Sequence, residues 1–595
     1  MPESGPGFDA RSRTRMASRL RLMRFLLWAV VIVLLLRFWN LQVVRGDSFA
    51  AVARDNRVQT ERLRAPRGLI LDRRGEVLAT NEPAFALIVD VEGLDHLERL
   101  AWLGEDADME TLRARARRGR TIAASRLRFD EAAWFDARRR ELPGVRVGFV
   151  PQRHYPLGPA TAHLLGHVAE VTRTQLLLEE FVERAAGDFV GQSGVERTHD
   201  GLLRGVDGFV NRIVDSRQRI REGIPDRVEP VRGTTLRTGV SAGVQAAAHA
   251  AFGDRRGAFA AIHVPTGAVL GIGSYPAAAP TDYLDDAREF RRLLQDPASP
   301  LLNRAIQGVY PPGSTFKLVS AAAALAEGVV TEDTRITCRG SARVGGRTFA
   351  CHRAEGHGAL TLREAIAASC NVFFYELSRH LDVDVLAGWG RVFGLAHPTG
   401  IELPGEASGL VPTRAWKRRA HGDRWYPSET ASVIVGQGAI QATPLQMARV
   451  AAGVAGGGVL PVPSLTGRAE PEEIAGVTPE MFDVIRAGMR EAVVRGTAWR
   501  ARIPGYPVAG KTGTAQVASA DRVADDNAER PLELRTHAWF VGFAPYAAPE
   551  IAVAVVVEHG GAGGAAAAPV GRAVIDAWRQ EAVEKEDAVA LASGS

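Results

Sequence analysis

The sequence predicts an α+β fold for its C-terminal part, an antiparallel sheet covered by helices, preceded by an elongated N-terminal domain and one transmembrane helix. Near the start of that part, residues 257–270 alternate two apolar runs around the turn Pro265-Thr266-Gly267, which predicts a β-hairpin. Near its end, apolar runs at 537–543 and 551–557 predict two further strands. Strands at both ends with helices between them are typical of an α+β domain. The helical stretches between the strands are 316–327, 361–380, 443–455 and 479–494.

Length and composition limit the class of protein. A chain of 595 residues is too long for one hydrophobic core, so two or three domains are expected. Apolar residues make up 46% and charged residues 24%, an ordinary globular composition. The net charge is +5, and no predicted folded stretch combines a basic stripe with interleaved aromatic residues. Nucleic-acid binding is therefore not indicated.

The amino terminus has the pattern of a membrane anchor. Residues 1–21 form a basic tail, and the apolar stretch 22–44 that follows is long enough to cross a bilayer. A cleaved signal peptide is the alternative, but Arg45-Gly46-Asp47 stands where small residues would mark the cleavage site. The arginines of the tail should stay in the cytoplasm, which places everything after about residue 45 outside it. Because no second apolar run reaches this length, we expect a single pass.

Residues 45–230 are predicted to form the N-terminal domain. Short apolar runs broken by glycine and asparagine, as in 65–81, indicate strands and turns. Between them, the charged region 95–145 includes two helical patterns, at 110–118 and 129–140. This region is either a solvated charged face or a docking surface for a membrane partner.

Ser314 and Lys317 are the first candidate catalytic pair. The preceding Pro311-Pro312-Gly313 favours the start of a helix, and residues three apart on a helix share a face. The Lys317 amine is therefore expected to lie over the Ser314 hydroxyl. A lysine kept neutral by burial and cationic neighbours can accept a proton from a serine nucleophile. Free N–H groups at the helix start could stabilise an oxyanion.

Two further motifs follow this pair in order along the chain. Ser369-Cys370-Asn371 comes first, and Lys511-Thr512-Gly513-Thr514 comes later on a predicted strand. Each motif alone occurs by chance, but the three in this order form the signature S-x-x-K, S-x-N, K-T-G. The sequence thus resembles the penicillin-binding proteins, and their transpeptidase fold agrees with the α+β pattern.

The resemblance implies a role for each residue of the first two motifs. Ser314 would attack the carbonyl of a D-alanyl-D-alanine stem peptide and form an acyl-enzyme, while Lys317 accepts its proton. Ser369 would relay a proton to the leaving amine, and Asn371 would bind the peptide backbone.

The third motif is implied to hold the substrate. Lys511 would add positive potential that keeps Lys317 neutral, and the hydroxyls of Thr512 and Thr514 suit a carboxylate. Gly513 would let the substrate backbone come close. The backbone N–H groups of Ser314 and Thr514 would form the oxyanion hole.

Other motifs resemble the class B group of the family, and in particular its elongation branch. That branch implies a serine D,D-transpeptidase in the bacterial inner membrane, with residues 231–580 as a periplasmic catalytic domain and 45–230 as its pedestal. It also implies the partners: D-Ala-D-Ala stem peptides, β-lactams, a SEDS-type glycosyltransferase of the elongation machinery and associated shape proteins. No cofactor is required for this chemistry. The motifs are Ala65–Gly75, Gly191–Arg197, Leu203–Gly205, Pro404–Glu406, Gly436–Gly438, Thr443–Ala448 and Thr514–Gln516.

Three alternatives stay open beside the elongation enzyme. The first is a septal class B transpeptidase. The second is a hydrolase, either a carboxypeptidase or a β-lactamase, although no stretch provides the glutamate that holds a deacylating water in class A β-lactamases. The third is a silent membrane scaffold or β-lactam sensor, for which further membrane spans or a signalling domain would be expected.

The three cysteines lie close together in the sequence. A disulfide between Cys338 and Cys351 with Cys370 buried is one interpretation in an oxidising compartment. The other is a structural zinc on Cys338, Cys351, His357 and Cys370. The spacing matches no standard finger, but some members of the elongation branch bind zinc through the residue before the motif asparagine.

Two segments near the C-terminus are predicted to be flexible. Residues 518–536 are polar, with Pro531 and no apolar period, and indicate a loop beside the Lys511 strand. A closing helix is expected over 570–583, and residues 581–595 are expected to be a loose tail.

Overall fold

The N-terminal segment of the computed structural model is a long apolar helix. Helix α1, Ala10–Trp39, continues as a π-helical turn over Asn40–Val44. Its part Arg19–Val44 is long and apolar enough to cross a membrane, and it is the one such helix among the residues described. The structure describes residues 10–47, 58–99, 109–117, 121–213, 226–283, 287–467, 469–516 and 531–593.

The predicted pedestal, together with Leu236–Arg237 just beyond its predicted end at residue 230, is built on three small sheets. The largest has five strands in the order β10-β2-β3-β4, with β5 also paired to β3; β1-β8-β9 and β6-β7 form the other two. The strands are β1 (Val58–Leu63), β2 (Ile70–Leu71), β3 (Val77–Val89), β4 (Thr121–Leu127), β5 (Val145–His154), β6 (Val168–Glu170), β7 (Phe189–Gly191), β8 (Gly208–Ile213), β9 (Asp226–Val228) and β10 (Leu236–Arg237). The helices are α2 (Val91–Arg99), α3 (Met109–Ala116), α4 (Phe129–Ala137), α5 (Ala162–Leu165), α6 (Gly194–Thr198) and α7 (Asp200–Leu203).

Buried ion pairs join the segments of the pedestal. Arg67 pairs with Glu196 at 2.9 Å and with Asp200 at 2.8 Å, and Arg153 reaches Glu196 at 2.6 Å. The resemblance also implies an ion pair for Asp72 in the pedestal, and the structure differs on this point. The Asp72 carboxylate instead accepts backbone N–H groups from Arg74, Glu76 and Ala242, so it closes a turn and ties the pedestal to the next domain.

A five-stranded antiparallel sheet organises the C-terminal domain. Its order is β12-β11-β21-β20-β19, which leaves β19 at one edge. This sheet confirms the predicted strands and the α+β class. The sheet strands are β11 (Gly257–His263), β12 (Val269–Tyr275), β19 (Ala509–Ala515), β20 (His537–Ala544) and β21 (Ile551–Val557). Short ribbons outside it are β13 (Ile336–Cys338), β14 (Ser341–Val344), β15 (Arg347–Ala350), β16 (Gly358–Leu360), β17 (Val459–Leu460) and β18 (Glu472–Glu473).

Helices cover both faces of this sheet, which explains why its strands are continuously apolar. Along β11, Ala258 and Ala260 belong to one buried cluster, whereas Phe259 and Ala261 belong to another. Successive side chains of a strand point to opposite faces, so both faces need apolar residues. The helices are α8 (Ala242–Phe252), α9 (Pro280–Tyr283), α10 (Ala287–Gln295), α11 (Lys317–Ala326), α12 (Leu362–Ala367), α13 (Asn371–Leu377), α14 (Val383–Val392), α15 (Arg414–His421), α16 (Pro427–Val433), α17 (Pro444–Ala455), α18 (Pro479–Val494) and α19 (Gly563–Ser593).

Two predicted helices differ from the observed ones. The stretch 361–380 is not continuous, because Ser369 between α12 and α13 has a φ of +54°, in the left-handed region that interrupts a right-handed helix. The expected loose tail from residue 581 instead continues α19 to Ser593. Its alanine, glutamate, valine, lysine and leucine residues include strong helix formers, which accounts for the difference. Most of the predicted loop 518–536 lies outside the described residues.

Helix α19 also contacts residues where the pedestal meets the C-terminal domain. Its Glu581 accepts a hydrogen bond from Ser241, and its Glu584 pairs with Arg74 at 2.8 Å. The guanidinium of Arg73 lies 4.3 Å from the ring centre of Trp578. The C-terminal helix therefore belongs to the contact between the two domains.

Candidate active site

Ser314 lies on a tight turn held against the edge strand β19. The turn is a 3-10 helix over Gly313–Thr315, and α11 begins two residues later at Lys317. Gly313 has a φ of +55°, and a Cβ there would lie 2.8 Å from the carbonyl oxygen of Thr514. Only glycine allows this approach without strain. The half-buried Ser314 side chain is thus brought next to the Lys511-Thr512-Gly513-Thr514 strand.

Lys317 is fully buried beneath this turn. Its Nζ donates to the carbonyl oxygen of Ser369 at 3.0 Å and to Oδ1 of Asn371 at 2.7 Å. Burial lowers the pKa of Lys317 to about 7, against the opposing charges of Cys370 and Cys351. Among the hydrogen bonds of the described residues there is none between Ser314 and Lys317, so the expected contact is not made here. Catalytic hydrogen bonds often tighten only with substrate.

Ser369 connects this lysine to a second one. The Ser369 hydroxyl accepts a hydrogen bond from Lys511 Nζ at 2.7 Å, and the same amine donates to the carbonyl oxygen of Thr512 at 2.8 Å. Lys511 is fully buried as well. Burial, and then the charge of Lys317, lower its pKa well below the usual value. Two buried amines this close disfavour a double positive charge, which favours a neutral base.

Strand β19 presents its threonines beside Ser314. Thr514 is exposed, and its carbonyl oxygen accepts from Nε2 of Gln437 at 2.9 Å. Thr512 donates from Oγ1 to Thr497 Oγ1 at 2.7 Å. Gly513 was expected to leave room for the substrate backbone. The structure gives another reason for this glycine, since a Cβ there would lie 2.9 Å from the carbonyl oxygen of Pro312.

One cavity of about 810 Å³ brings these groups together. Ser314, Ser369, Asn371 and the segment Thr512–Thr514 line it, while the two lysines lie behind its wall. The structure therefore brings residues of the three motifs to one cavity. Further lining residues were not assigned a role from the sequence: Tyr375, Gln437, Thr497, Trp499 and Arg500. Of these, only Gln437 had a sequence signal, since it lies in the motif Gly436-Gln437-Gly438.

The largely buried carboxylate of Glu558 helps to fix the turn that carries Ser314. Glu558 accepts from the hydroxyl of Tyr310 at 2.6 Å and from Arg304 Nε at 2.8 Å. The indole of Trp539 donates to the carbonyl oxygen of Pro311 at 3.0 Å. These contacts fix the residues that lead into Ser314. These contacts could not be predicted from the sequence, because the residues that make them lie far apart along the chain.

The four candidate metal ligands meet directly beside Ser369. The ligand atoms of Cys338, Cys351, His357 and Cys370 all lie within 4.8 Å of one another. His357 Nδ1 is 3.6 Å from the Sγ atoms of both Cys338 and Cys351, and the Sγ atoms of Cys351 and Cys370 are 4.0 Å apart. Ligand atoms of a tetrahedral zinc site are separated by about 3.5–3.8 Å, which matches both contacts of His357, whereas Cys351 and Cys370 are slightly further apart. The residue types are those that bind zinc. All three cysteines are free, so the alternative Cys338–Cys351 disulfide is absent from the structure.

Two family models match the chain. The penicillin binding protein transpeptidase domain matches residues 257–576, and the penicillin-binding protein dimerisation domain matches residues 62–238. The chain therefore belongs to the penicillin-binding protein transpeptidase family.

Its relatives point to one group of that family. The chain is 35% identical over 578 residues to the peptidoglycan D,D-transpeptidase MrdA of Acinetobacter baumannii, covering 92% of this chain and 85% of that protein. It is 31% identical over 572 residues to MrdA of Escherichia coli K12, covering 89% of each. The group is that of the elongation enzyme, penicillin-binding protein 2, and the predicted resemblance is confirmed.

Solved structures of the same group share the fold. The complex of penicillin-binding protein 2 with MreC from Helicobacter pylori matches with a TM-score of 0.75 and 26% identity, over 88% of this chain and 99% of that one. A peptidoglycan synthase complex that coordinates polymerisation and cross-linking matches with a TM-score of 0.69 and 31% identity, over 94% of this chain and 98% of that one. The predicted transpeptidase fold with a pedestal is thereby confirmed.

Proposed function

We propose that this chain is a peptidoglycan D,D-transpeptidase that cross-links stem peptides during cell elongation and is acylated by β-lactams. One observation carries the proposal: Ser314, Ser369, Asn371 and the Thr512–Thr514 segment line one cavity, with two buried lysines behind them. Family membership supports the reaction class. The proposed domain division is a pedestal at 45–230 and a catalytic domain at 231–580.

In acylation, Ser314 is the proposed nucleophile and Lys317 the proposed base. The Ser314 oxygen forms a bond to the penultimate D-alanine carbonyl, and the C–N bond to the terminal D-alanine breaks. The proton taken by Lys317 is proposed to pass to the leaving amine through the Ser369 hydroxyl. Ser369 lies on the cavity wall, and its hydroxyl contacts Lys511 Nζ, which supports this role. In deacylation, the nitrogen of an acceptor amine bonds to the acyl carbon, the ester bond to the Ser314 oxygen breaks, and a proton from the amine returns to that oxygen.

The remaining residues hold the substrate. The hydroxyls of Thr512 and Thr514 bind its terminal carboxylate, and the Asn371 amide binds its backbone. Backbone N–H groups of Ser314 and Thr514 stabilise the oxyanion, an interaction worth about 3 kcal/mol per donor in typical cases. Lys511 supplies positive potential near Lys317.

Labelling with a fluorescent penicillin tests this assignment. The full-length protein should form a covalent adduct that mass spectrometry places on the Ser314 peptide. Ser314→Ala should abolish labelling, whereas Arg391→Gln, an exposed change on α14, should label like the parent. An adduct on another residue, or labelling retained in Ser314→Ala, would reject the proposal.

We also propose a structural zinc on Cys338, Cys351, His357 and Cys370. The four ligand atoms cluster within 4.8 Å of one another and are of the types that bind zinc. Cys370 lies between Ser369 and Asn371, so the ion would stabilise that loop. Metal analysis with thiol counting after denaturation should find one zinc and three free thiols per chain. One disulfide without zinc would reject it.

Location and partners follow from the same assignment. The arginine-rich end of α1 would stay in the cytoplasm and the two domains would lie in the periplasm. Glycan polymerisation would come from a partner glycosyltransferase, as in the synthase complex among the structural relatives. Cysteine-accessibility labelling of intact cells checks the orientation, since sites after residue 45 should react with a membrane-impermeant reagent.

The pedestal supplies a candidate surface for a shape protein. Phe129 and Phe149 are 77% and 68% exposed, and the ring centres of Phe85 and Phe149 are 4.9 Å apart. An exposed aromatic group of this size favours a protein contact over a purely solvated face. A MreC-like partner is consistent with the Helicobacter pylori complex. Phe149→Ser should weaken co-purification with that partner, whereas the exposed Leu202→Ser on α7 should not.

A further inference from the structure

A second cavity opens next to the active site. Its volume is about 640 Å³, and Trp499 and Arg500 line both cavities. We call the second cavity the outer groove. Its other walls come from the segment after Arg500 and from α19: Arg502, Pro504, Pro569, Arg572, Ala573 and Asp576.

The outer groove is cationic. Arg500, Arg502 and Arg572 are exposed, and within the described parts of the chain none of them pairs with a carboxylate. Arg500 donates to the carbonyl oxygen of Ala565 at 3.4 Å, and Arg502 donates to that of Val494. The acid of the groove, Asp576, is already paired with Arg579 at 2.8 Å. The guanidinium groups therefore keep donors for an external anion, and their planar geometry suits carboxylates.

Trp499 adds an apolar surface between the two cavities. Its side chain is 57% exposed, which is unusual for tryptophan, and the Arg500 guanidinium lies 5.3 Å from its ring centre. Exposed tryptophan and arginine side chains are the residue types that contribute most to binding sites. The groove thus combines a flat apolar platform with positive charge, which suits an acidic peptide.

The position of the groove identifies which peptide it would take. Thr512 Oγ1 bonds to Thr497 Oγ1, and Thr497 precedes Trp499 by two residues. The groove therefore opens at the end of the cavity where Thr512 is proposed to hold the terminal carboxylate. When the terminal D-alanine leaves, this end becomes free for the attacking amine.

We propose that the outer groove binds the acceptor: an acidic stem peptide whose free carboxylates contact Arg500 and Arg572 and whose apolar part packs on Trp499. This inference rests on the proposed transpeptidase function. In the step concerned, the acceptor nitrogen bonds to the acyl carbon, the bond from that carbon to the Ser314 oxygen breaks, and a proton passes from nitrogen to Ser314. Water attacking in its place gives the hydrolysed product.

A partition experiment on the full-length protein tests the groove. A thioester analogue of acyl-D-alanyl-D-alanine serves as donor, and thiol release reports acylation. Two acceptors are compared: a synthetic stem peptide with free carboxylates, and the same peptide with those carboxylates amidated. The ratio of amide product to hydrolysed product reports acceptor binding. The parent should favour the free-carboxylate acceptor by about tenfold, the worth of a charge-assisted contact.

Substitutions in the outer groove test which residues cause the preference for the free-carboxylate acceptor. Arg572→Gln and the double change Arg500→Gln with Arg572→Gln should remove most of it, while Arg572→Lys, which keeps the charge, should restore part. Arg391→Gln on α14 serves as the matched control and should keep the parental ratio. Equal ratios for the two acceptors in the parent, or an unchanged preference in the double variant, would overturn the inference. Failure of thiol release in the parent would instead reject the proposed function.

Discussion

Lys317 and Lys511 donate hydrogen bonds to the same residue, one to the carbonyl oxygen of Ser369 at 3.0 Å and the other to its hydroxyl at 2.7 Å. Both side chains are fully buried. Burial lowers the pKa of both amines, and the charge of Lys317 lowers the pKa of Lys511 further. The proton-accepting role proposed for Lys317 depends on this pairing.

Acylation is expected to depend on pH through Lys317. Burial lowers the pKa of this amine to about 7, and only the neutral form can accept the Ser314 proton. The rate of penicillin acylation should therefore increase as the pH rises through about 7 and then level off. Stopped-flow acylation between about pH 6 and about pH 9 measures the profile. A rate that falls over this interval would contradict the assignment.

Removal of the Ser369 hydroxyl should damage catalysis more than stability. Ser369→Ala leaves Lys511 with only the carbonyl oxygen of Thr512, so acylation should slow by about 100-fold or more, in the range of a lost proton-transfer group. Ser378→Ala is the matched control, because that buried hydroxyl donates only to the carbonyl oxygen of Tyr375 at 2.6 Å. The control should lose about 1 kcal/mol of unfolding free energy and still react with penicillin. Similar acylation rates in the two variants would argue against a relay.

Gly313→Ala should separate the nucleophile from β19. The added Cβ would lie 2.8 Å from the carbonyl oxygen of Thr514, and the backbone already has a positive φ. Penicillin labelling should fall to background. Gly328 at the end of α11 also has a positive φ, of +65°, but open space around its Cβ position, so Gly328→Ala should cost about 1 kcal/mol and keep labelling. Labelling of both variants at the parental rate would show that the close approach is not needed.

Glu558→Ala should destabilise the fold strongly. The change leaves Arg304, 4% exposed, without its carboxylate partner, and removes the acceptor of the Tyr310 hydroxyl. We expect a loss of about 3–5 kcal/mol, as for other broken buried pairs. The unfolding temperature of the full-length Glu558→Ala variant in detergent is compared with that of the control variant Glu355→Ala. That glutamate is 81% exposed and should change stability by less than about 0.5 kcal/mol. Equal unfolding temperatures would contradict the prediction.

The sequence was most informative where chemistry or periodicity leaves a local pattern. The strands Gly257–His263 and Ile551–Val557 were predicted from their apolar runs, because burial on both faces requires such runs. The three motifs could be recognised because the reaction needs those residue types. Helix periodicity suggested that Lys317 would contact Ser314, but its amine is drawn to Ser369 and Asn371, which come from another part of the chain.

Residues that are brought together by long-range packing show no such local pattern in the sequence. Thr497, Trp499 and Arg500 reach the cavity only because β19 and α19 meet beside them, and nothing in their own sequence marks this. The break at Ser369 was not predicted, because the residues around it have a helical composition and its left-handed backbone leaves no pattern in the sequence. Helix α19 is longer than the predicted 570–583 because it begins earlier, in a stretch rich in glycine and alanine, and continues through the predicted tail.

Helix α19 has one end in the cavity and the other on the pedestal. Its Gly563 and Gly564 line the active-site cavity, while Glu581 and Glu584 contact Ser241 and Arg74. At about 1.5 Å per residue, this single element measures roughly 46 Å. The catalytic cleft and the contact between the domains therefore lie on one helix. A chain shortened after Gln580 would keep the cleft end and the contact of Trp578 with Arg73, but it would lose the contacts of Glu581 and Glu584.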